Sequence, residues 1–197
     1  MSESSKLKNG LAIILSSPSG GGKSSIAKAL VAKDSNLLLS VSATTRNPRP
    51  GEIDGINYFF RTREDFLKMI ENDELLEYSE VYNNLYGIPK KFVQDSLNQG
   101  LGIIFDIDWQ GAEKLKRLLK NVLTIFILPP SLEELRKRIE ARNQDFPKDI
   151  DLRMELADSE IKQAKNYDHV IINGNFLDTV ENIYQIIQSA SKKTYES

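Results

Sequence analysis

A glycine-rich loop between an apolar run and a helix-like run constrains the fold of this chain more than any other feature. The loop, SSPSGGGKSS, spans residues 16–25 and follows the apolar run LAIIL at residues 11–15. The sequence after it has apolar residues on one face of a predicted helix over residues 23–33. Consecutive glycines let a backbone direct its N–H groups at an anion, and the start of a helix adds positive potential. The order strand, loop, helix therefore predicts a phosphate-binding P-loop.

In such a loop Lys23 reaches the β- and γ-phosphates of a nucleotide, and the Ser24 hydroxyl ligates Mg²⁺. The pattern G-x-x-x-x-G-K-[ST] has a glycine where this chain has Ser17. A serine fits at this position if its φ is negative, so the effect of Ser17 depends on the backbone there. The alternative is a flexible turn that only resembles a phosphate site. We predict an ATP-binding loop made of Ser17, Pro18, Ser19, Gly20, Gly21, Gly22, Lys23, Ser24 and Ser25.

Composition limits the class of protein. The 197 residues suit one domain, or one core with small insertions. A net charge of -2 offers no general basic surface to nucleic acid or an anionic membrane. The absence of cysteine excludes disulfides, thiolate metal sites and a cysteine nucleophile, and the run at residues 11–15 is too short for a signal peptide or a membrane span. We therefore predict a soluble cytoplasmic protein without a nucleic-acid or membrane partner, and leave a homo-oligomer open.

Apolar strands alternate with helices along the chain, which predicts an α/β fold with a mostly parallel sheet and flanking helices. The predicted core strands lie at residues 11–15, 37–41, 103–107, 122–128 and 169–172. Two stretches interrupt the alternation, at about 41–92 and about 131–153. We interpret them as insertions into a single domain whose core comprises about 10–40, 93–130 and 154–197.

The strand end IIFDID is a candidate for metal binding. Alternation along a strand would put Asp106 and Asp108 on the same side, and an acidic strand end supports Mg²⁺ in P-loop enzymes. Together with the Ser24 hydroxyl, these carboxylates are the predicted Mg²⁺ ligands. The alternative is that the acidic residues simply end a strand.

Residues 40–60 read SVSATTRNPRPGEIDGINYFF and contain a candidate phosphate acceptor site. Arg46 and Arg49 carry guanidinium forks that match phosphate oxygens, and the Tyr58 hydroxyl adds a hydrogen-bond donor. This set suits a bound monophosphate. The alternative is a solvated basic loop.

The same segment resembles the signature of the guanylate kinase family, with Thr44-Thr45-Arg46-x-x-Arg49-x-x-Glu52-x-x-Gly55-x-x-Tyr58-x-Phe60 in matching order and spacing. The resemblance extends from about Leu11 to the end of the chain. It implies a P-loop nucleoside monophosphate kinase fold in which the two insertions are GMP-binding and lid subdomains. It also implies Mg²⁺-dependent transfer of the ATP γ-phosphoryl group to GMP or dGMP, giving ADP and GDP, in purine nucleotide metabolism and GMP recycling.

The resemblance further implies roles for single residues. The implied GMP site consists of Arg46, Arg49, Tyr58 and Tyr86 at the phosphate, Ser42 and Glu77 at guanine, and Asp106 near the nucleotide. The implied ATP site adds Arg138, Arg142 and Arg153 of the lid, closing on the phosphates, and Asn173 near adenine. The residues implied in catalysis are Lys23, Arg46 and these three lid arginines. For Arg138 and Arg142 the alternative is an exposed helix face with ion pairs.

The chemistry of Glu77 agrees with a preference for guanine. A carboxylate only accepts hydrogen bonds, and guanine presents N1–H and N2–H₂ side by side, whereas adenine has an acceptor at N1 and no N2 amine. Besides Ser17, a second residue departs from the family pattern: Ile88 follows Tyr86-Gly87 where the family usually has a hydroxyl residue that contacts guanine. Recognition of the guanine carbonyl would then rest on Ser42 and backbone N–H groups.

Three other functions compete with this interpretation. The first is a P-loop kinase for a different monophosphate, against which Ser42 and Glu77 argue. The second is a non-catalytic interaction module, such as the guanylate-kinase-like domains of scaffold proteins, against which Lys23, Ser24 and the lid arginines argue. The third is a nucleic-acid-dependent NTPase, for which the chain lacks a basic groove.

Overall fold

A five-stranded parallel sheet with helices on both faces forms the core of the chain. The computed structural model describes residues 10–81, 83–141 and 147–195. The strands are β1 (Ala12–Ser16), β2 (Leu37–Leu39), β3 (Ala43–Thr44), β4 (Phe59–Phe60), β5 (Leu75–Val81), β6 (Asn84–Pro89), β7 (Gly102–Asp106), β8 (Val122–Leu128) and β9 (His169–Ile172). The helices are α1 (Lys23–Lys33), α2 (Arg63–Glu71), α3 (Lys90–Asn98), α4 (Trp109–Leu118), α5 (Leu132–Ala141), α6 (Pro147–Ile161) and α7 (Phe176–Tyr195), with a 3₁₀ helix at Lys162–Asn166.

The core sheet has the strand order β2-β7-β1-β8-β9, and its neighbouring strands pair in parallel. Every residue of the central strand β1 is buried, because α1 and α7 cover one face and α3 and α4 cover the other. A strand buried on both faces reads as a continuous apolar run, which is why LAIIL predicted it. Two predicted strands end earlier than expected, at Leu39 and Asp106.

A second sheet lies within the first predicted insertion. Its strand order is β4-β3-β6-β5, and β5 and β6 form an antiparallel hairpin. This hairpin was not predicted from the sequence. Its apolar cluster contains Ala43, Phe66, Leu75 and Leu85, so the insertion has a small core of its own.

The second predicted insertion, at about 131–153, contains α5 and the beginning of α6, which continues to Ile161. Ser131 caps α5, since the Glu134 N–H donates to Ser131 Oγ at 3.1 Å. Leu135, Ile139 and Ala157 pack together between the two helices. None of the helices in the described part of the chain is both long enough and apolar enough to cross a membrane.

Candidate active site

The loop between β1 and α1 owes its shape to its glycines. Gly20 and Gly22 have φ values of 91° and 96°, in the left-handed region that only glycine adopts without strain. A Cβ on Gly20 would also lie 2.7 Å from Ile139 Cγ1 of α5, and one on Gly22 would meet the side-chain amide of Asn173. The next residue, Lys23, begins α1 and leaves its first N–H groups unpaired within the helix. The loop therefore has the backbone of an anion-binding site.

Ser17 fits this loop without strain. Among the described residues only Asp73 and Asn83 combine a side chain with a positive φ, so Ser17 lies in an ordinary backbone region. Its Oγ donates to the carbonyl of Pro18 at 3.0 Å. A Cβ on Gly21 would lie 2.8 Å from the Ser17 Cβ. The serine is thus accommodated because Gly21 has no side chain.

Asn173 braces the loop from the end of β9. Its side chain is buried, and its Nδ2 donates to the Gly21 carbonyl at 2.9 Å. Its own carbonyl accepts from Arg138 Nη2 at 3.1 Å, while Arg138 Nε donates to Glu134 Oε1 at 3.0 Å. The contact between Asn173 and the loop was not expected, because the resemblance implied only a position near adenine.

A cavity of about 370 Å³ opens beside the loop. Its lining consists of Gly20, Gly22, Ser25, Arg138, Ala141, Asn173, Gly174 and Phe176. Two of the predicted ATP-site residues outside the loop, Arg138 and Asn173, therefore lie on one cavity with it. The cavity is the candidate site of the adenosine part of ATP.

Two residues of α6 contact Ser19 in the loop. Arg153 Nη1 donates to Ser19 Oγ at 2.6 Å, and the Ser19 N–H donates to Glu160 Oε2 at 3.3 Å. Burial raises the pKa of Glu160 above its ordinary value. Helix α6, which contains the predicted lid residue Arg153, thus contacts the loop between β1 and α1. Arg142, the third predicted lid arginine, lies outside the described residues.

Lys23 forms an ion pair with Asp106 at the end of β7. Because β1 and β7 are parallel neighbours, the phosphate loop and Asp106 leave the sheet at the same edge. Asp108 is not part of the strand; its Oδ1 accepts from the Gly111 N–H at 2.8 Å and caps α4. The predicted alternation of the two aspartates along a strand is therefore wrong, because β7 ends at Asp106. Ser24 is exposed on the first turn of α1, and the metal roles of all three residues stay predictions.

Arg46, Tyr58 and Tyr86 come together on the second sheet, as the acceptor-site prediction requires. The ring centroids of Tyr58 and Tyr86 are 6.1 Å apart, and the Arg46 guanidinium carbon lies 5.4 Å from the Tyr58 centroid. Arg46 Nη2 donates to both Glu52 oxygens, at 2.8 and 2.9 Å, which holds the pKa of Glu52 below its ordinary value. Burial, followed by the negative charge of Asp106, raises the pKa of Tyr58. The phenol therefore stays protonated at neutral pH and can donate a hydrogen bond.

Arg49 and Ser42 lie beside this cluster. The backbone N–H of Arg49 donates to Glu52 Oε2 at 2.7 Å, and its side chain is exposed. The Ser42 carbonyl accepts from the Phe59 N–H at 2.9 Å, which ties it to β4, and its side chain is half-buried. The predicted contacts of Arg49 with the GMP phosphate and of Ser42 with guanine stay predictions.

Glu77 lies on β5 with its side chain only 10% exposed, and Lys114 of α4 donates to its Oε2 at 2.9 Å. Ile88 pairs with Glu77 across the hairpin. The Ile88 side chain is 2% exposed and belongs to the core cluster that contains Ile14 and Val93. Ile88, which departs from the family pattern, is thus a residue that packs in the core.

Three residues of the site carried no predicted role: Glu52, Lys114 and Glu160. Glu52 is part of the signature, and its fixed spacing from Arg46 could have suggested that the two residues form a pair. Glu160 and Lys114 contact residues that are 141 and 37 positions away in sequence, so no local pattern identifies them.

Sequence and structure comparisons find the same family. The family model described as Guanylate kinase matches residues 9–190. A guanylate kinase of Rickettsia bellii is 53% identical over 184 residues, which cover 93% of this chain and 96% of that protein. A guanylate kinase of Wolbachia pipientis wMel is 45% identical over 185 residues, 93% of this chain and 92% of that protein. The crystal structure of guanylate kinase from Anaplasma phagocytophilum superposes with a TM-score of 0.77 and 36% identity, covering 94% of this chain and 88% of that one.

Proposed function

The chain belongs to the guanylate kinase family, the ATP:GMP phosphotransferases among the nucleoside monophosphate kinases, and we propose that the residues described above carry out this transfer. One observation carries the assignment: the phosphate loop and the cluster around Arg46 both lie near Asp106. Lys23 of the loop pairs with Asp106, and the negative charge of Asp106 contributes, after burial, to the raised pKa of Tyr58 in that cluster. Two nucleotide phosphates bound to these groups would face each other, as direct transfer requires.

On the ATP side, the loop N–H groups and Lys23 bind the β- and γ-phosphates. Arg138 and Arg153 are held at the rim of the loop by Asn173 and Ser19, and both belong to lid helices. Closure of the lid would bring their guanidinium groups onto the γ-phosphoryl group and exclude water. Catalysis then consists of positioning and charge neutralisation, without a covalent enzyme intermediate.

On the GMP side, Arg46 is aligned by Glu52 and offers the remaining donors of its guanidinium to the acceptor phosphate. The protonated hydroxyl of Tyr58 and that of Tyr86 add donors. Arg46 and Arg49 also reduce the repulsion between two anionic substrates. Glu77 accepts from N1–H and N2–H₂ of guanine.

The residues present fit a Mg²⁺ ion that is carried by ATP. Mg²⁺ is usually held by one or two carboxylates, with phosphates and water completing its shell. Ser24 and Asp106 supply such oxygens, and within the described residues no group of three His, Asp or Glu side chains forms a metal cage. Bound Mg²⁺ would neutralise charge on the β- and γ-phosphates. Asp108, which caps α4, is the third proposed ligand.

The test is ADP formation from MgATP with GMP, dGMP, AMP, UMP or dTMP as acceptor. We expect turnover with GMP and dGMP, and a loss of about 100-fold or more in Lys23→Ala, since the lysine neutralises the transferring group. Lys28→Ala, which removes an exposed lysine from the same helix, is the matched control and should keep full activity. Turnover with another monophosphate would contradict the roles of Ser42 and Glu77. Absence of turnover with every acceptor would instead favour the non-catalytic module.

We propose the cytoplasm as the compartment, because the cysteine-free composition has no need of an oxidising one. Purine nucleotide metabolism and GMP recycling follow from the substrates. The absence of a nucleic-acid partner and the oligomeric state stay predictions to be tested, the second by light scattering.

A further inference from the structure

Lys114 connects the core helix α4 to the strand that carries Glu77. Its Nζ donates to Glu77 Oε2 at 2.9 Å and to the Tyr78 carbonyl at 3.0 Å. The Glu77 side chain is 10% exposed and that of Lys114 is 47% exposed. The largely buried carboxylate of Glu77 therefore pairs with the ammonium of Lys114, which extends to it from the surface of α4.

A β-bulge directs this part of β5. Leu75 pairs with Pro89 and Glu77 pairs with Ile88, so Leu76 is an extra residue in the strand. Leu75 consequently packs in the cluster of the second sheet, whereas Leu76 packs against the core cluster under α4. A bulge of this kind re-aims the next side chain. Glu77 follows it immediately, at the point where β5 approaches α4.

We propose that Lys114 is a positioning residue for guanine recognition: its ammonium fixes the Glu77 carboxylate in the orientation that accepts N1–H and N2–H₂ together. The proposal rests on the proposed role of Glu77. A carboxylate has two oxygens and about four acceptor positions, of which Lys114 uses one, on Oε2. The bond to the Tyr78 carbonyl holds the ammonium next to the strand of Glu77, which limits the positions it can take relative to the carboxylate.

This role predicts an effect on substrate choice. The hypoxanthine base of IMP has N1–H but lacks the N2 amine, so an oriented carboxylate makes one more hydrogen bond to GMP than to IMP. When the orientation is lost, GMP loses more binding than IMP. Lys114 therefore acts on the GMP constants through Glu77 and touches neither ATP nor the transferring group.

The experiment compares Lys114→Met, Lys114→Arg and Glu77→Gln with the control Lys116→Met, in steady-state assays with GMP and IMP at saturating MgATP. Lys116 lies on the same helix and also bonds one carboxylate oxygen and one carbonyl, Glu113 Oε1 at 3.4 Å and Asn166 O at 3.0 Å. Its replacement makes the same change of charge away from Glu77.

We expect Lys114→Met to raise the KM for GMP about tenfold and to keep kcat within about twofold, as loss of uniform binding requires. The preference for GMP over IMP should fall about fivefold, and Lys114→Arg should recover most of it. Equal GMP constants in Lys114→Met and Lys116→Met would overturn the proposal. A lower KM for GMP in Lys114→Met would also overturn it, because Lys114 would then compete with guanine.

Glu77→Gln distinguishes the role proposed for Lys114 from the role proposed for Glu77 in binding guanine. If Glu77→Gln keeps the preference for GMP over IMP, the guanine role of Glu77 is wrong. If Glu77→Gln lowers the preference and Lys114→Met does not, the role of Glu77 stands and only the role of Lys114 is wrong.

Discussion

Replacing Asn173 by alanine tests whether this side chain acts on ATP through the phosphate loop. The substitution removes the 2.9 Å hydrogen bond from Asn173 Nδ2 to the Gly21 carbonyl. Both groups lie in buried residues, so the carbonyl loses its partner without free access to water. The loop between Gly20 and Gly22 would then be less firmly held.

A lost hydrogen bond together with an unsatisfied buried carbonyl costs about 2 kcal/mol in the free energy of unfolding. For a chain of this size that corresponds to a fall in Tm of about 4–8 °C. A similar loosening of the loop N–H groups would weaken phosphate binding by about 1 kcal/mol, or roughly fivefold in the KM for ATP. The KM for GMP should stay within about twofold, because Asn173 hydrogen-bonds to Gly21 and Arg138 and not to the acceptor-site residues Arg46, Tyr58 and Tyr86.

The control is Asn175→Ala. Asn175 Oδ1 accepts from the N–H groups of Leu177 and Asp178, at 2.9 and 3.2 Å, and caps α7. Its loss costs about 1 kcal/mol of stability without touching the loop. Thermal unfolding and steady-state kinetics of both variants are measured, together with inhibition by inorganic tripolyphosphate, which has no base.

We expect tripolyphosphate to bind Asn173→Ala several-fold more weakly than the parent and Asn175→Ala as well as the parent. If Asn173→Ala binds ATP more weakly but tripolyphosphate equally well, Asn173 acts on adenine and the argument from the loop is refuted. An unchanged KM for ATP would refute both roles.

Three further predictions follow from single contacts. Gly21→Ala should raise the KM for ATP several-fold, because its Cβ meets Ser17, and Ser17→Gly in the same chain should recover part of the loss in kinetic assays; additive effects would contradict this. The pKa of Glu52 is lowered in the fold, so the stabilisation by its charge is present above the unfolded pKa of 4.5 and is lost as pH falls through the folded pKa. In urea unfolding, the difference in free energy of unfolding between the parent and Glu52→Gln should therefore shrink below pH 4.5. A difference that stays constant with pH would contradict the linkage. Asp108→Asn should keep the α4 cap and stability but raise the Mg²⁺ concentration needed for half-maximal rate, whereas Asp108→Ala should also lower stability by about 1 kcal/mol; an unchanged Mg²⁺ requirement in Asp108→Asn would leave Asp108 as a cap alone.

The sequence predicted the parts of the molecule that local patterns determine. The phosphate loop was recognisable because its glycines, Lys23 and the flanking apolar runs lie within one short segment. The parallel core followed from alternating runs of apolar residues. The signature that ends at Phe60 predicted the cluster of Arg46 and Tyr58, because its spacing is local.

The remaining features depend on contacts between distant segments. Leu76 forms a bulge in β5. Polar and apolar residues therefore do not alternate regularly along this strand, and the hairpin could not be predicted from its sequence. The bond from Asn173 to Gly21 spans 152 positions, and nothing near either residue indicates it. The alternation of Asp106 and Asp108 failed because the sequence does not mark the last residue of a strand.

Three cations of the described part of the site have carboxylate partners: Lys23 with Asp106, Arg46 with Glu52, and Arg138 with Glu134. The charges of each pair cancel, so these three cations do not attract anions in general. A small ion such as inorganic phosphate must displace a carboxylate in return for few new contacts. A nucleotide binds several of these cations at once. Because the carboxylates of the site compete with a ligand for its cations, ligands that make many contacts bind and those that make few do not.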